Sequence, residues 1–237
     1  MTAFHKNLPK NAPTWPKPLR NSLPEAFHIL RRGGLAVIPT ETFYCVACDA
    51  LHAEAVRRLV LLKGRGKGKP VPLIAGSMEI VRGLTSPLFL ERCLKAGLDP
   101  GLLAERFWPG PLTLVLPSIP GLPPEITAGT GTIGIRVPGP SLALNLAREY
   151  GGPLTATSAN LSGKAPPRSA GGIDRKILEG ADLVVDGGVT PGEKSSTVLD
   201  VTTYPPRIIR PGALYQEVRE FLNGIKQSRV QSPESRD

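Results

Sequence analysis

The 237-residue sequence is poor in aromatic residues and in cysteine. Phe, Trp and Tyr together make up 5% of the chain, so few side chains are available to stack on the bases of single-stranded nucleic acid. Three cysteines cannot pair completely, which argues against the disulfide framework of a small secreted protein. Apolar runs such as residues 59–62 are far shorter than the roughly 20 residues that cross a bilayer, and we expect no membrane-spanning segment.

Positive charge is in excess, since 29 Lys and Arg face 20 Asp and Glu and give a net charge of +9. This balance favours anionic partners such as nucleotides or RNA, and charge alone does not distinguish between them. Hydrophobic residues at 41% and charged residues at 21% are typical of a globular chain. Residues 1–24 contain no apolar core of a signal peptide, so we expect a cytoplasmic protein.

The hydrophobic pattern predicts one mixed α/β domain over residues 23–224, preceded by a basic, proline-rich arm (1–22) and followed by a polar tail (225–237). The arm is expected to be extended, because its prolines prevent a helix. The predicted helices are 25–32, 53–62, 142–150 and 212–223, and the predicted strands are 35–39, 112–116, 133–137, 154–157, 183–186 and 207–210. Ser141 is predicted to cap the helix that follows it.

Two polar segments directly follow predicted strands, where ligands of α/β sheets usually bind. Residues 39–44 read Pro-Thr-Glu-Thr-Phe-Tyr, and Thr40 and Thr42 could offer hydroxyls to a small polar substrate. Residues 155–163 read Thr-Ala-Thr-Ser-Ala-Asn-Leu-Ser-Gly and carry many hydrogen-bonding groups with little apolar area. Each segment could equally be a turn that leaves its strand.

A basic, glycine-rich segment follows the predicted helix 53–62. Residues 63–70 read Lys-Gly-Arg-Gly-Lys-Gly-Lys-Pro, without the spacing of a Walker loop. Glycine permits close approach of the backbone to a ligand, and the cations can neutralise phosphates. A solvated loop at the helix end would explain one cation but not four, so the segment favours anion binding.

Arg136 lies between Ile135 and Val137 in a predicted strand, and alternation points its side chain away from theirs. An arginine in this position can bind a carboxylate through two hydrogen bonds, or it can face water.

Cys45 and Cys48 are followed by His52, which raises the possibility of zinc ligands with Cys93, or of a redox pair. Structural zinc sites bring a second close pair of ligands, which the sequence does not offer. The preferred interpretation is that these small side chains fill tight space behind a strand end.

Taken in order, these motifs resemble the YrdC-like threonylcarbamoyl-AMP synthase family. The matching motifs are Pro-Thr-Glu-Thr-x-Tyr, Lys-Gly-Arg, Thr-Ser-Ala-Asn-x-Ser-Gly, Ser-Thr-Val and Arg-Pro-Gly, together with residues 108–113 and 134–138. Each motif is weak alone, but their order and spacing are specific, and the likeness runs from about residue 23 to residue 224. The chain departs from the family at Cys45, Val46 and Ala47, where Gly-Leu-Gly is usual, and we expect a stiffer loop there.

The resemblance implies a twisted open mixed sheet with flanking helices around a basic concave pocket. It implies an enzyme that condenses L-threonine, bicarbonate or CO2 and ATP into threonylcarbamoyl-AMP and pyrophosphate. A separate transferase complex would then modify an adenosine beside the anticodon of certain tRNAs, and direct contact with tRNA is possible. Mg²⁺ would accompany the ATP, bound mainly by phosphates, with no metal ligands from the protein.

The resemblance also implies roles for individual residues. Lys63, Arg65, Ser158 and Asn160 are the implied catalytic residues that hold the triphosphate and the adenylate. The ATP-binding set comprises Lys63, Arg65, Lys69, Thr132, Asn160, Arg168 and Arg210. The threonine-binding set comprises Thr40, Thr42, Arg136, Ser158 and Ser196, with Arg136 on the substrate carboxylate.

Two other functions stay open. The chain could be a module that binds tRNA or double-stranded RNA and forms no adenylate, a function that its basic segments favour. It could also be a carbamoyl-transfer relative that uses carbamoyl phosphate, like hydrogenase-maturation proteins that carry a similar domain, although this alternative requires further domains.

Overall fold

The computed structural model describes residues 19–20, 23–66, 68–89, 91 and 99–230, and for 19–20 and 226–230 it describes the backbone only. Helices and strands are interspersed along the chain. The helices are α1 (Leu23–Arg31), α2 (Ala53–Lys63), α3 (Met78–Leu84), α4 (Pro100–Phe107), α5 (Pro124–Thr127), α6 (Leu142–Tyr150), α7 (Arg175–Gly180) and α8 (Tyr215–Val230). The strands are β1 (Leu19–Arg20), β2 (Ala36–Pro39), β3 (Tyr44–Ala47), β4 (Leu73–Ile74), β5 (Leu112–Pro117), β6 (Thr132–Arg136), β7 (Leu154–Thr155), β8 (Thr157–Ser158), β9 (Leu183–Val185), β10 (Thr197–Asp200) and β11 (Arg207–Arg210).

The strands form two mixed sheets, which confirms the predicted α/β class. The first sheet has the order β1-β9-β2-β3-β8 and the second has the order β11-β10-β5-β6-β4-β7. Both contain parallel and antiparallel neighbours. The predicted strand 154–157 is divided at Ala156, because β7 pairs with β4 in the second sheet and β8 pairs with β3 in the first. The chain therefore crosses between the sheets at this point.

Side chains on opposite faces of the strands pack into two separate hydrophobic cores. Val37 of β2 lies in the larger core with Leu114 of β5, so this core joins the two sheets. Ile38, the next residue of β2, lies in a smaller core with Leu30 of α1 and Leu146 of α6. Both faces of β2 are thus covered, which is why the strand contains a continuous apolar run.

Local signals at helix ends position the segments around the site. The side chain of Ser141 accepts a hydrogen bond from Leu144 N, as predicted for a cap. Gly64 ends α2 in a left-handed conformation (φ 57°) that suits glycine. This turn brings Lys63 and Arg65 to the carboxyl end of α2.

Several elements differ from the sequence-based prediction. Residues 44–47 form a strand rather than a loop, because pairing with β2 and β8 supplies hydrogen bonds that no local pattern reveals. Helices α3, α4, α5 and α7 were not predicted. The last helix begins at Tyr215 and continues to Val230, because Gly224 costs only about 1 kcal/mol inside a helix. Residues 225–230 of the predicted tail are therefore helical.

The predicted arm lies mostly outside the described residues, as do residues 231–237 of the tail. Leu19–Arg20, at the end of the arm, pair in parallel with β9. In the described part of the chain, no helix combines the length and apolar character that a membrane span requires.

Candidate active site

A cavity of about 470 Å³ lies between the two sheets. Alternate residues of three neighbouring strands of the second sheet line it: Thr113 and Val115 of β5, Thr132, Gly134 and Arg136 of β6, and Val198 and Asp200 of β10. The intervening residues, such as Leu114 and Leu199, are buried in the larger core. The two-residue period of the strands therefore separates a polar cavity face from an apolar core face.

Arg136 is 7% exposed and lines the cavity. The prediction that it points away from Ile135 and Val137 is confirmed, since both of these lie in the core. Its Nη1 donates to Oε1 of Glu41, and its Nη2 lies 3.4 Å from Oγ1 of Thr42. The guanidinium is thus held at the cavity wall by the segment that follows β2.

Glu41 is a functional candidate that the sequence analysis missed. Its Oε2 is buried and has no hydrogen-bond partner. A Cβ on Gly139 would approach Cγ of Glu41 to 2.9 Å, so the glycine makes room for this side chain. The Pro-Thr-Glu-Thr motif contained the signal, since a carboxylate directly after a buried strand requires a cation or hydrogen-bond donor beside it.

Thr40 and Thr42 serve different purposes. The Thr40 hydroxyl donates to Phe43 O at 2.8 Å and accepts from Thr42 N and Phe43 N, so it stabilises the turn. The two hydroxyl oxygens lie 2.9 Å apart. Because the Thr40 proton is used on Phe43 O, the Thr42 hydroxyl is the donor to Thr40 and its lone pair faces Arg136. Both threonines line the cavity.

The end of α2 contributes cations beside the cavity. Arg65 lines it, and its Nε donates to Lys69 O at 2.9 Å, while Nη2 donates to Pro70 O. Lys63 is 3% exposed, and its Nζ donates to Ser158 O. Burial, followed by the charge of Arg65, lowers the pKa of Lys63 to about 8. Lys69 is exposed and does not line the cavity.

The Ser-x-Asn motif leaves β8 at the same place. Ser158 lines the cavity and pairs with Cys45 of β3. Asn160 Nδ2 donates to Leu161 O at 3.0 Å and to Lys164 O at 2.6 Å, which folds the segment after β8. The Asn160 Oδ1 is buried without a hydrogen-bond partner, and the residue does not line the cavity.

Ser196 and Arg210 are joined by direct contacts. The Arg210 Nη2 donates to Oγ and to the carbonyl oxygen of Ser196, both at 2.9 Å, and Ser196 Oγ lies 2.9 Å from Oγ1 of Thr113. A Cβ on Gly212 would lie 2.4 Å from the carbonyl oxygen of Ser195. This close approach explains the glycine of the Arg-Pro-Gly motif, which holds Arg210 against the segment before β10.

The structure brings most of the sequence-predicted site residues to one cavity. Those that line it are Thr40, Thr42, Arg65, Thr132, Arg136, Ser158, Ser196 and Arg210. Those that do not line it are Lys63, Lys69, Asn160 and Arg168. Arg168 instead donates to Thr190 O at 3.1 Å and lies 3.8 Å from Glu193. The structure adds Thr113 and Asp200, which the sequence analysis did not select.

The cysteine motif belongs to the packing of β3. Cys45 and Cys48 are free and buried in different cores, and burial raises the pKa of each thiol to about 12. His52 caps α2, with Nδ1 accepting from Ala55 N. In the described part of the chain, no group of three His, Cys, Asp or Glu residues could hold a metal ion, and Cys93 lies outside it.

A mixed α/β fold with an arginine- and hydroxyl-lined cavity is typical of proteins that bind small anionic ligands. Residues 28–212 match the family described as Sua5/YciO/YrdC, telomere recombination. The protein belongs to this family.

Several proteins similar to this chain share one name. A threonylcarbamoyl-AMP synthase from Pyrococcus abyssi is 37% identical over 83% of this chain and 56% of its own length. One from Thiobacillus denitrificans is 38% identical over 73% of this chain and 88% of its own length. The crystal structure of P. abyssi Sua5 complexed with L-threonine superimposes with a TM-score of 0.75, at 37% identity, over 85% of this chain and 57% of that one. The chain thus spans little more than half the length of the P. abyssi protein.

Proposed function

We propose that the protein is an L-threonylcarbamoyladenylate synthase, a nucleotidyltransferase that condenses L-threonine, bicarbonate or CO2 and ATP. The products are threonylcarbamoyl-AMP and pyrophosphate. The observation that carries this proposal is the convergence of Arg65, Arg136 and Arg210 on one cavity that also contains several hydroxyl groups. Relatives named for this activity, one of them covered over most of its length, support it.

The chemistry requires several anions to meet. The threonine amine and CO2 form a carbamate with release of a proton, and a carbamate oxygen then attacks the α-phosphorus of ATP while pyrophosphate leaves. Carbamate and phosphate repel each other, so the protein's task is positioning and electrostatic stabilisation. Arginines that are already oriented by backbone carbonyls and by Glu41 suit this task, because they need little reorganisation when the substrates bind.

The positions of the residues suggest which of them would bind threonine and which would bind the nucleotide. Arg136 would bind the threonine carboxylate, with hydrogen bonds from Ser158 and Ser196, and Thr40 or Thr42 would contact the rest of the substrate threonine. Arg65, Arg210 and Thr132 would contact the nucleotide. Lys63 and Asn160 do not line the cavity. Lys63 would act on the phosphates from beside Ser158. Asn160 would do so after a movement that releases its Nδ2 from Leu161 O and Lys164 O.

Mg²⁺ would be bound mainly by the phosphate oxygens of ATP, since the cavity lining includes one carboxylate among the described residues. The ion would neutralise phosphate charge, and Lys63 and Arg65 would supplement it. The product would pass to a tRNA threonylcarbamoyl transferase complex. We place this reaction in the cytoplasm.

The decisive experiment measures pyrophosphate released from ATP. Release should require both threonine and bicarbonate, and omission of either should reduce it to the background of ATP alone. Pyrophosphate release that does not depend on threonine would contradict the proposal.

A second candidate function is RNA binding, which the net charge of +9 favours. Such a module would bind tRNA with a steep salt dependence and would release no pyrophosphate. Measuring tRNA affinity at two salt concentrations on the same preparation separates the two candidates.

A further inference from the structure

One carboxylate stands among the described residues that line the cavity, that of Asp200 in β10. β10 runs between β5 and β11, and Leu199 is fully buried in the core. Val198 and Asp200 therefore share the opposite face, which lines the cavity. An acidic side chain in a cavity lined by three arginines is unexpected if its ligands are only anions.

One oxygen of the Asp200 carboxylate accepts hydrogen bonds from the protein, and the other does not. Its Oδ1 accepts from Thr202 N at 2.9 Å and from Thr202 Oγ1 at 2.6 Å, which fixes the side chain at the end of β10. Within the described part of the chain, Oδ2 accepts no hydrogen bond from the protein. The carboxylate is half-buried, so Oδ2 gains from a donor on a bound ligand.

The sheet register places Asp200 beside an apolar floor. On the side of β5, Asp200 pairs with Val115, and Val115 pairs with Gly134, which has no side chain. On the side of β11, Asp200 pairs with Arg207, which is exposed and does not line the cavity. The neighbouring pairs, Arg210 with Val198 and Val198 with Thr113, lie two residues along the strands, or about 7 Å away. Asp200 therefore lies one two-residue repeat of the strand away from Arg210, the arginine that would bind phosphate.

This arrangement matches the two ends of a nucleotide. The phosphates are drawn to arginine and repelled by Asp200. The nucleoside carries O–H and N–H donors, and its planar base can lie on the surface formed by Val115 and Gly134. Carboxylates are known acceptors for ribose hydroxyls and for exocyclic amino groups of bases.

We propose that Asp200 Oδ2 accepts a hydrogen bond from the nucleoside part of the bound nucleotide. This bond would make the site bind a nucleotide in preference to an inorganic polyphosphate. The inference rests on the proposed function, because it requires a nucleotide substrate. The contact of Oδ1 with Thr202 accounts for the turn after β10, but it leaves Oδ2 without a role.

The substitution Asp200→Asn separates these two uses of the side chain. The amide oxygen can replace Oδ1 and keep both bonds from Thr202, while the amide nitrogen replaces Oδ2 and donates instead of accepting. Thr202→Val is the matched control, because it removes the shorter bond to Oδ1 and leaves Oδ2 unchanged.

Calorimetric titration without threonine tests the proposal with ATP and with inorganic tripolyphosphate. Asp200→Asn should weaken ATP binding by about tenfold or more. It should leave tripolyphosphate binding equal or tighter, since a negative charge has been removed from a cationic cavity. Thr202→Val should leave both affinities near those of the unaltered protein.

Nucleotide analogues that lack one donor group each identify which group of the nucleoside donates the hydrogen bond to Asp200. Inosine triphosphate lacks the amino group, and 2′-deoxy-ATP and 3′-deoxy-ATP each lack one hydroxyl. The analogue without the relevant donor should bind the unaltered protein weakly and should be insensitive to Asp200→Asn.

Three results would overturn the inference: ATP affinity within about twofold of the unaltered protein, an equal loss of tripolyphosphate affinity, or a loss of ATP affinity that disappears without Mg²⁺. The last result would make Asp200 a metal ligand instead. If the unaltered protein bound no ATP, the proposed function would fail first and the inference with it.

Discussion

Replacing Arg136 with alanine should affect stability and substrate binding separately, and the structure gives the size of the first effect. The side chains of Arg136 and Glu41 are only 8% and 12% exposed, and they form a buried ion pair. The second carboxylate oxygen of Glu41 already has no partner. Removal of Arg136 would leave a buried carboxylate without its counter-charge.

Loss of one partner of a buried pair costs about 3–5 kcal/mol, which is a large part of the roughly 5–15 kcal/mol that stabilises a typical domain. We therefore expect Arg136→Ala to lower the free energy of unfolding by about 3–5 kcal/mol. Glu41→Ala should cost less, because the guanidinium keeps its contact with Thr42 and faces a cavity that water can enter.

Urea unfolding of the two single variants and of the double variant measures the coupling between the side chains. The double variant should be more stable than Arg136→Ala alone, because no buried charge remains without a partner. A loss below about 1 kcal/mol for Arg136→Ala, or simple additivity of the two substitutions, would refute the reasoning.

The same variant tests the assignment of the site. At a temperature where Arg136→Ala is folded, the threonine concentration required for activity should rise while ATP affinity stays near normal. An equal loss of nucleotide binding would show that Arg136 does not belong to the threonine end of the cavity.

The other predictions concern the cations and the Arg-Pro-Gly motif. Lys63→Ala or Arg65→Ala should weaken ATP binding more than threonine binding, measured by calorimetry, and the reverse order would contradict their assignment. ATP affinity should fall as the pH rises through about 8, because the Lys63 ammonium, whose pKa burial lowers, loses its charge there. The contribution of Lys63 to stability should change in the opposite direction: between about 8 and the ordinary pKa of 10.5 the unfolded chain binds the lysine proton more tightly, so this contribution rises with pH. The buried thiols of Cys45 and Cys48, whose pKa values are raised to about 12, act against it above about 9, so the Lys63 contribution is measured as the difference between the unaltered protein and Lys63→Met. Gly212→Ala should lower the unfolding midpoint and ATP affinity together, since its Cβ would lie 2.4 Å from the carbonyl oxygen of Ser195, whereas Gly224→Ala on α8 has open space and should not.

Local patterns along the chain determined several features correctly. Alternation in β6 placed Arg136 on the face opposite Ile135, and Ser141 indicated where α6 begins. Polar residues directly after β2 and after β7 indicated the cavity. These features depend on neighbours a few residues apart, so the sequence contains the information they need.

Tertiary structure decided the features that depend on distant segments. β3 exists because β2 and β8 pair with it, and Glu41 acquires its role from Arg136, 95 residues away. Arg168 matched a family position by motif, but its side chain binds the carbonyl of Thr190. Asp200 lines the cavity because the register of β10 against β5 pairs it with Val115, which also lines the cavity. A strand's two-residue period gives its two faces, but only pairing with other strands determines which face meets the core and which meets the cavity.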